Sequence, residues 1–195
     1  EVFVWILLFI VVTEKVIAEA VREGCNLMLA HHPLLLRGVK CIDRSTVVGR
    51  CVLDAISAGI GIYAAHTNLD NAPGGVNFKI AEKLGLADVR FLFPLRSGEG
   101  GSGVVGKLPR PLRREAFLEL VARTFGVEAL RHNGAAPLTV QTVALCGGAG
   151  EFLLDEAIRQ GADAFLTGEM GYHRYFGHEE EILIGVMGHY ESEQF

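Results

Sequence analysis

The sequence predicts an α/β fold with mixed, largely parallel sheets. Short apolar runs typical of buried strands alternate with segments whose apolar residues recur at helical spacing. Half of the 195 residues are hydrophobic, which is enough for a sizeable core. A glycine- and serine-rich stretch at residues 97–103 interrupts this pattern. It predicts a joint between two domains, residues 1–96 and 97–195.

The first half of the chain begins with an apolar run at residues 2–12, which predicts a buried central strand. This run is too short to span a bilayer, which needs roughly 20 residues, and it lacks the basic flank of a signal peptide. Thr13 can cap a helix that ends at Gly24. The elements predicted next are strand 26–30, a helix from Val47 to near Gly59, strand 60–65, helix 75–84 and strand 89–93.

The second half continues the alternation of strands and helices. The predicted elements are strand 103–108, helix 112–125, strands 127–132 and 140–146, helix 150–160, strand 163–167, a short helix at 170–176, strand 181–187 and a final helix from near Tyr190.

Charge and cysteine content restrict the possible partners and compartment. The net charge is −5 and no long basic run is present, which argues against a nucleic-acid partner. The four cysteines lack Cys-x-x-Cys spacing and lie in or near apolar segments. They are typical of free thiols in a reducing cytoplasm rather than of a disulfide framework.

His31 and His32 are the most informative residues of the chain. They follow the apolar strand 26–30 and precede Pro33, which has no N–H to donate to a strand ladder. The pair is therefore expected at a strand-to-loop corner, where functional groups of open α/β sheets collect. At such a corner both imidazoles can turn toward one point, and imidazole is the commonest metal-binding side chain.

Two further strand ends carry possible metal ligands. Asp70 follows strand 60–65, although Asp70 or Asn71 can equally organise the turn before the next helix. His189 and Glu193 are four residues apart and would share one face of a helix. The alternative for this segment is a solvated acidic helix start, which the helix dipole favours.

Taken together, these residues supply three imidazoles and two carboxylates. That mixture suits Zn, Mn, Fe or Co better than Mg or Ca, which prefer oxygen ligands. It is too many ligands for one open catalytic site, so the sequence predicts two divalent transition-metal ions bridged by a carboxylate and a water. Such a water loses a proton readily and becomes a nucleophile.

Four spaced motifs resemble the GTP cyclohydrolase 1 type 2 homolog family, also called the NGG-interacting factor three family. The motifs are LAHHPL at residues 29–34, HTNLD at 66–70 with GGVN at 74–77, GADAFLTGE at 161–169 and GHYESE at 188–193. The resemblance implies two linked α/β domains with a metal cleft between them, and a homo-oligomer in the form of a hexamer. It also implies the metal ligands His31, His32, Asp70, His189 and Glu193, with Asp70 and Glu193 as bridges. Longer relatives carry an inserted domain in mid-chain, and this chain resembles a short form without it.

Secondary candidates surround this ligand set. His66 would contact a metal ligand or carry protons, or it would simply be a loop histidine whose hydrogen bonds are made within the protein. The family resemblance places the stretch after strand 163–167 beside the cleft, so Glu169 and His173 are candidates for handling substrate or protons. The alternative is that this stretch contains only a carboxylate at the start of a helix, Glu169, and a packed aromatic ring. Gly147 and Gly148, between a strand and a helix, form a weak candidate for a phosphate-binding turn, because the Walker lysine is missing.

Two functional hypotheses follow. The first is a metal-dependent hydrolase, in which a metal-bridging hydroxide attacks carbon or phosphorus of a small, nucleotide-like substrate. The second is a metal-stabilised scaffold or regulatory interaction protein without turnover, which the second family name favours.

Overall fold

The computed structural model describes residues 5–96, 98–134 and 137–194. The chain divides into two compact units between Leu69 and Asp70. Each unit combines helices with a sheet that contains parallel strands, so the predicted α/β fold is confirmed. Within the described ranges, none of the helices is both long enough and apolar enough to cross a lipid bilayer.

The first unit is built on a three-stranded parallel sheet in the order β1-β2-β3. Parallel neighbours need crossover connections, and two helices supply them here. The elements are β1 (Ile6–Phe9), α1 (Glu14–Arg22), β2 (Leu27–Ala30), α2 (Val47–Ser57), β3 (Gly61–Ala64) and the short α3 (His66–Asp70).

Both crossover helices start at a threonine cap. The hydroxyl of Thr13 accepts an N–H of the first turn of α1, as the sequence predicts, and Thr46 does the same for α2. Buried side chains of both helices belong to one hydrophobic cluster with Met28 and Ala30 of β2. The helices therefore hold the middle strand of this sheet, whose end carries the histidine pair.

The expectation of a central buried strand at residues 2–12 is wrong for its described part. β1 is an edge strand, and β2 is the middle strand of the sheet. Ile6 and Leu8 remain 49% and 72% exposed. Apolar composition predicted the strand but carries no information on strand order. Residues 2–4 of this run lie outside the described residues.

The second unit is built on a six-stranded mixed sheet in the order β4-β5-β7-β8-β9-β6. Its strands β7, β8 and β9 are parallel, and the remaining pairs are antiparallel. The elements are α4 (Val76–Lys83), β4 (Ala87–Pro94), β5 (Gly101–Arg113), α5 (Arg114–Phe125), β6 (Arg131–His132), β7 (Thr139–Cys146), α6 (Leu154–Arg159), β8 (Ala164–Thr167), β9 (Leu183–Val186) and α7 (His189–Glu193), with 3₁₀ turns at Glu151–Leu153 and Tyr172–Tyr175.

This sheet carries a hydrophobic cluster on each face. Along β8 the side chains alternate, so that Leu166 belongs to one cluster and Phe165 to the other. The parallel strands also end in register: Cys146 pairs with Thr167, and Thr167 with Val186. Since parallel strands end at the same edge, the residues that follow β7, β8 and β9 meet there.

The glycine-rich stretch is a hairpin turn, not a joint between the compact units. β4 and β5 are antiparallel neighbours, with Pro94 paired to Gly101. The N–H of Leu95 donates to the carbonyl of Gly100 at 2.8 Å and closes the turn. The predicted boundary at residues 96–97 therefore falls inside the second unit. Ser97 itself lies outside the described residues.

Several predicted elements have different bounds in the structure. The helix predicted at 112–125 begins at Arg114, because β5 stays paired with β7 through Arg113. The strand predicted at 127–132 is reduced to β6, since the N–H of Val127 still donates to the end of α5. No element is predicted for the segment 66–70, which forms the short helix α3.

Candidate functional site

The histidine pair lies where β2 ends in the first unit. The pairing with β1 continues beyond the strand, because the N–H of His31 donates to the carbonyl of Phe9 at 3.1 Å and that of His32 to Ile10 at 2.9 Å. The two imidazole centroids are 4.8 Å apart with an interplanar angle of 73°. As the sequence predicts, the two rings lie together at the strand end.

His66 joins this pair from the end of β3. Its ring centroid lies 5.9 Å from that of His31 and 5.6 Å from that of His32. Its backbone N–H donates to the carbonyl of His31 at 2.9 Å. His66 also has a φ of +40°, a left-handed conformation that costs a non-glycine residue free energy and clusters at functional sites. We call His31, His32 and His66 the histidine cluster.

In the second unit His189 lies between two carboxylates. Its Nδ1 is 2.6 Å from Oε1 of Glu169, and its Nε2 is 3.1 Å from Oε2 of Glu193. His189 and Glu193 are neighbours because they are one turn apart on α7, as their spacing predicts. Glu169 reaches them from the adjacent end of β8. The side chain of Glu193 is only 5% exposed. We call these three residues the His189 triad.

Buried hydroxyls hold the backbone around this triad. The hydroxyl of Ser192 accepts the N–H of Gly148 at 2.9 Å and donates to the carbonyl of His189 at 2.8 Å. The hydroxyl of Thr167 accepts the N–H of Gly150 at 3.0 Å. Both hydroxyl-bearing residues are fully buried. They join the ends of β7 and β8 to the first turn of α7.

Asn77 connects Asp70 to the same edge of the sheet. Its side-chain amide donates to the backbone carbonyl of Asp70 at 3.0 Å and accepts the N–H of Gly147 at 2.9 Å. Cys146 lies next to Gly147 at the end of β7. Burial raises the pKa of its thiol to about 12, and the negative charges of Asp70 and Glu193 contribute to that rise. The charges of Asp70 and Glu193 thus both act on the thiol at the end of β7.

The two glycines after β7 serve close packing. Since their N–H groups donate to Asn77 and Ser192, these donors are already engaged within the protein, and the expected phosphate-binding turn receives no support. Gly148 adopts a left-handed φ of +59°, and a Cβ there would collide with Oε1 of Glu193. The glycine thus allows Glu193 to lie against the backbone.

His173 lies in the 3₁₀ turn after β8, and its ring contacts that of Tyr172 with centroids 5.2 Å apart. The role of His173 stays a prediction, whereas Glu169 from the same predicted pair belongs to the His189 triad.

Sequence reasoning missed three supporting residues: Asn77, Thr167 and Ser192. Each lies inside one of the four motifs, so motif membership was an available signal. Their small polar side chains are common in turns and helix starts, and only their burial identifies them as structural supports.

The donors fit a transition metal. Imidazole nitrogen and carboxylate oxygen are the atoms that His31, His32 and Glu193 would offer to an ion, and both suit Zn, Mn, Fe or Co. Metal-binding histidines commonly contact a carboxylate through the other ring nitrogen, as His189 contacts Glu169. The fold and these residues define an α/β protein with a possible metal-binding group.

Comparison with known proteins identifies the family. A family model described as Duf34/NIF3 (NGG1p interacting factor 3) matches residues 4–195. A GTP cyclohydrolase 1 type 2 homolog from Clostridium perfringens is 35% identical over 191 residues, which cover 96% of this chain and 72% of the relative. One of the same description from Streptomyces coelicolor is 39% identical over 168 residues, covering 82% of this chain and 58% of that protein. The chain belongs to the Duf34/NIF3 family, as its motifs predict.

The fold is also found in solved structures. A Bacillus cereus protein described as related to NIF3 superimposes with a TM-score of 0.87 at 24% identity, covering 97% of this chain and 79% of that one. At this identity the similarity supports the fold alone.

Proposed function

We propose that the protein is a hydrolase that depends on two divalent transition-metal ions. His31, His32, Asp70, His189 and Glu193 would hold the ions, with Asp70 and Glu193 shared between them. The observation that carries the proposal is the His189 triad, in which a carboxylate holds Nδ1 and a second, buried carboxylate lies at Nε2. Imidazole and carboxylate groups placed together in this way are the donors that a transition-metal ion prefers, and a metal-binding imidazole commonly contacts a carboxylate through its other ring nitrogen.

When bound, such ions supply Lewis-acid activation of water and of the bond to be hydrolysed. Glu169 orients the ring of His189 through Nδ1, and Ser192 fixes the backbone of the same helix turn. In the histidine cluster, the ring centroid of His66 lies 5.9 Å and 5.6 Å from those of His31 and His32, and His66 would serve there as a proton carrier. The substrate would be small and nucleotide-like.

The proposal includes a homohexamer in a reducing cytoplasm. Four free cysteines, of which three are buried, suit a reducing compartment. The oligomeric state is measured by light scattering of the purified protein: a mass near six chains supports the hexamer, and a monomer would contradict it.

Metal content tests the proposal directly. Purified protein should contain about two transition-metal ions per chain, and His32→Ala should lower that number. The matched control is His178→Ala, which removes an imidazole that pairs with Glu181 and is no proposed ligand. Protein that neither carries nor takes up such ions would end the proposal.

The scaffold hypothesis is kept because the family description names an interaction factor. Phosphodiesters, nucleotides and cyclic amides, offered to metal-loaded protein, separate the two functions. Turnover that Asp70→Ala abolishes supports the hydrolase. If no compound class turns over and a partner is retained by Asp70→Ala, the scaffold is the correct function.

A further inference from the structure

The second unit contains a pocket that none of the proposed metal ligands lines. It has a volume of about 610 Å³, which lies in the usual range for small-molecule sites. Its walls come from two segments far apart in sequence, β6 with the residues beside it and the 3₁₀ turn after β8 with its flanks. We call it the aromatic pocket, after Tyr172, Tyr175 and Phe176 in its wall.

The aromatic side chains form an exposed surface for a flat ligand. Tyr172 and Phe176 are 72% and 52% exposed, and their ring centroids are 5.0 Å apart. The two neighbouring rings form an exposed apolar patch in the pocket wall, and ligand-binding grooves are among the sites where such patches occur. Their faces are suited to stacking on a planar ring.

Tyr175 supplies a polar group that lacks a partner. Its hydroxyl oxygen is buried and makes no hydrogen bond to any group among residues 5–96, 98–134 and 137–194. Buried polar atoms are nearly always paired in native proteins, so an unpaired hydroxyl in a pocket wall calls for an explanation. Burial raises the pKa of Tyr175, which the nearby charge of Arg131 partly offsets. The phenol is therefore neutral at pH 7 and can donate a hydrogen bond.

Arg131 gives the pocket a positive charge. No ion pair or side-chain hydrogen bond engages its guanidinium within the described part of the chain. The neighbouring Asn133 holds the segment to β9: its amide donates to the carbonyl of Ile182 at 2.9 Å and accepts the N–H of Ile184 at 3.1 Å. A guanidinium in a pocket wall is suited to a carboxylate or phosphate.

Glu179 adds an acceptor to the same wall. One of its carboxylate oxygens accepts the N–H of Gly177 at 2.9 Å. The carboxylate can accept a further hydrogen bond from a ligand N–H. A ligand that matches the aromatic rings, the carboxylate acceptor and the positive charge of this pocket has a flat ring, an N–H group and a negatively charged substituent.

We propose that the aromatic pocket binds a nitrogen heterocycle that carries an anionic substituent. The ring would stack on Tyr172 and Phe176 and donate to Glu179, while Arg131 and Tyr175 bind the anion. Met170 lines this pocket, and its chain neighbour Glu169 contacts His189. The pocket and the His189 triad thus include consecutive residues of the chain, and taking the ligand as the substrate rests on the proposed function.

Calorimetry with the purified full chain tests the binding. The probes are AMP and 6-aminonicotinate, which share a nitrogen heterocycle, an N–H group and an anion but come from different compound classes. Adenosine carries the heterocycle of AMP without the phosphate, and ribose 5-phosphate carries the phosphate without the heterocycle. We expect each half to bind at least about tenfold more weakly than AMP. If only one of the two complete probes binds, it identifies the source of the ligand.

Two variants separate binding from folding. Arg131→Gln should weaken AMP at least about tenfold and leave adenosine unchanged, because only the anion contact is lost. Tyr175→Phe should also weaken AMP, while the melting temperature stays the same or rises, since an unpaired hydroxyl leaves a buried position. Arg113→Gln, an exposed arginine outside the pocket, is the matched control.

Absence of binding by both complete probes at millimolar concentration would overturn the proposal. Equal affinity of the wild type, Arg131→Gln and Tyr175→Phe would overturn it as well. Metal content is measured in the same preparations. Metal-loaded protein that binds neither probe refutes the pocket alone, whereas protein that binds AMP but neither carries nor takes up metal ions refutes the proposed hydrolase alone.

Discussion

Replacement of Gly148 by alanine tests whether the backbone after β7 holds Glu193 in place. Gly148 has a φ of +59°, and a Cβ added there would collide with Oε1 of Glu193 and lie 3.3 Å from Nε2 of His189. Gly126, at the end of α5, has a similar φ of +66° but open space within 4 Å of the added Cβ. The two alanine variants thus share the backbone cost and differ in the collision.

The magnitude follows from these two contributions. A left-handed conformation costs a non-glycine residue about 1–2 kcal/mol, which is the whole effect expected for Gly126→Ala. Overpacking a buried site adds about 1–3 kcal/mol, so Gly148→Ala should lose about 2–5 kcal/mol in total. Displacing Glu193 should also weaken metal binding at least about tenfold, the usual effect of disturbing a metal site through its surroundings.

Urea denaturation and metal titration of both variants measure these effects. The free energy of unfolding gives the difference between the two alanines, and the titration gives the loss of affinity. If Gly148→Ala matches Gly126→Ala in both stability and metal affinity, the close approach of Gly148 to Glu193 has no role in the site and the reasoning is refuted.

Three further predictions concern the core and the thiols. Phe117→Ala should destabilise the protein by about 3–5 kcal/mol in urea denaturation, because a fully buried ring is lost. The exposed Phe152→Ala is its control, and similar losses for both would contradict the core assignment. Thr167→Val should cost about 1–3 kcal/mol in the same assay, since it leaves a buried N–H without an acceptor; an unchanged midpoint would show that this bond is dispensable. In native protein at pH 8 a thiol reagent should modify the exposed Cys41 rapidly, whereas Cys146, buried and with a pKa raised to about 12, should react only on unfolding; rapid modification of Cys146 would contradict its burial.

Much of the fold follows from local pattern. The helical spacing before Gly24 and the capping hydroxyl of Thr13 predicted α1, and the apolar runs predicted the parallel strands of both sheets. The i,i+4 spacing of His189 and Glu193 predicted their contact, because helix geometry alone brings such pairs together. Pro33 predicted the position of the histidine pair at the end of β2, because a proline has no N–H with which to continue the strand pairing.

Long-range arrangements escaped prediction. Apolar composition did not reveal that β1 is an edge strand, since strand order depends on pairing between distant segments. The glycine-rich stretch has the composition of a linker but closes the hairpin between β4 and β5. The aromatic pocket joins Arg131 to Tyr175 across more than forty residues of chain, and no local pattern could bring them together.

The sequence by itself determined the residue types and the local elements: imidazoles and carboxylates at strand ends, placed there by periodicity, proline and capping residues. Only the tertiary structure decided which of them touch, because the in-register ends of β7, β8 and β9 bring Gly148, Glu169 and His189 to one edge. Asn77 and Ser192 are buried at that edge, and their side chains accept the backbone N–H groups of the residues after β7. They stabilise the edge because a polar group removed from water must find a partner within the protein.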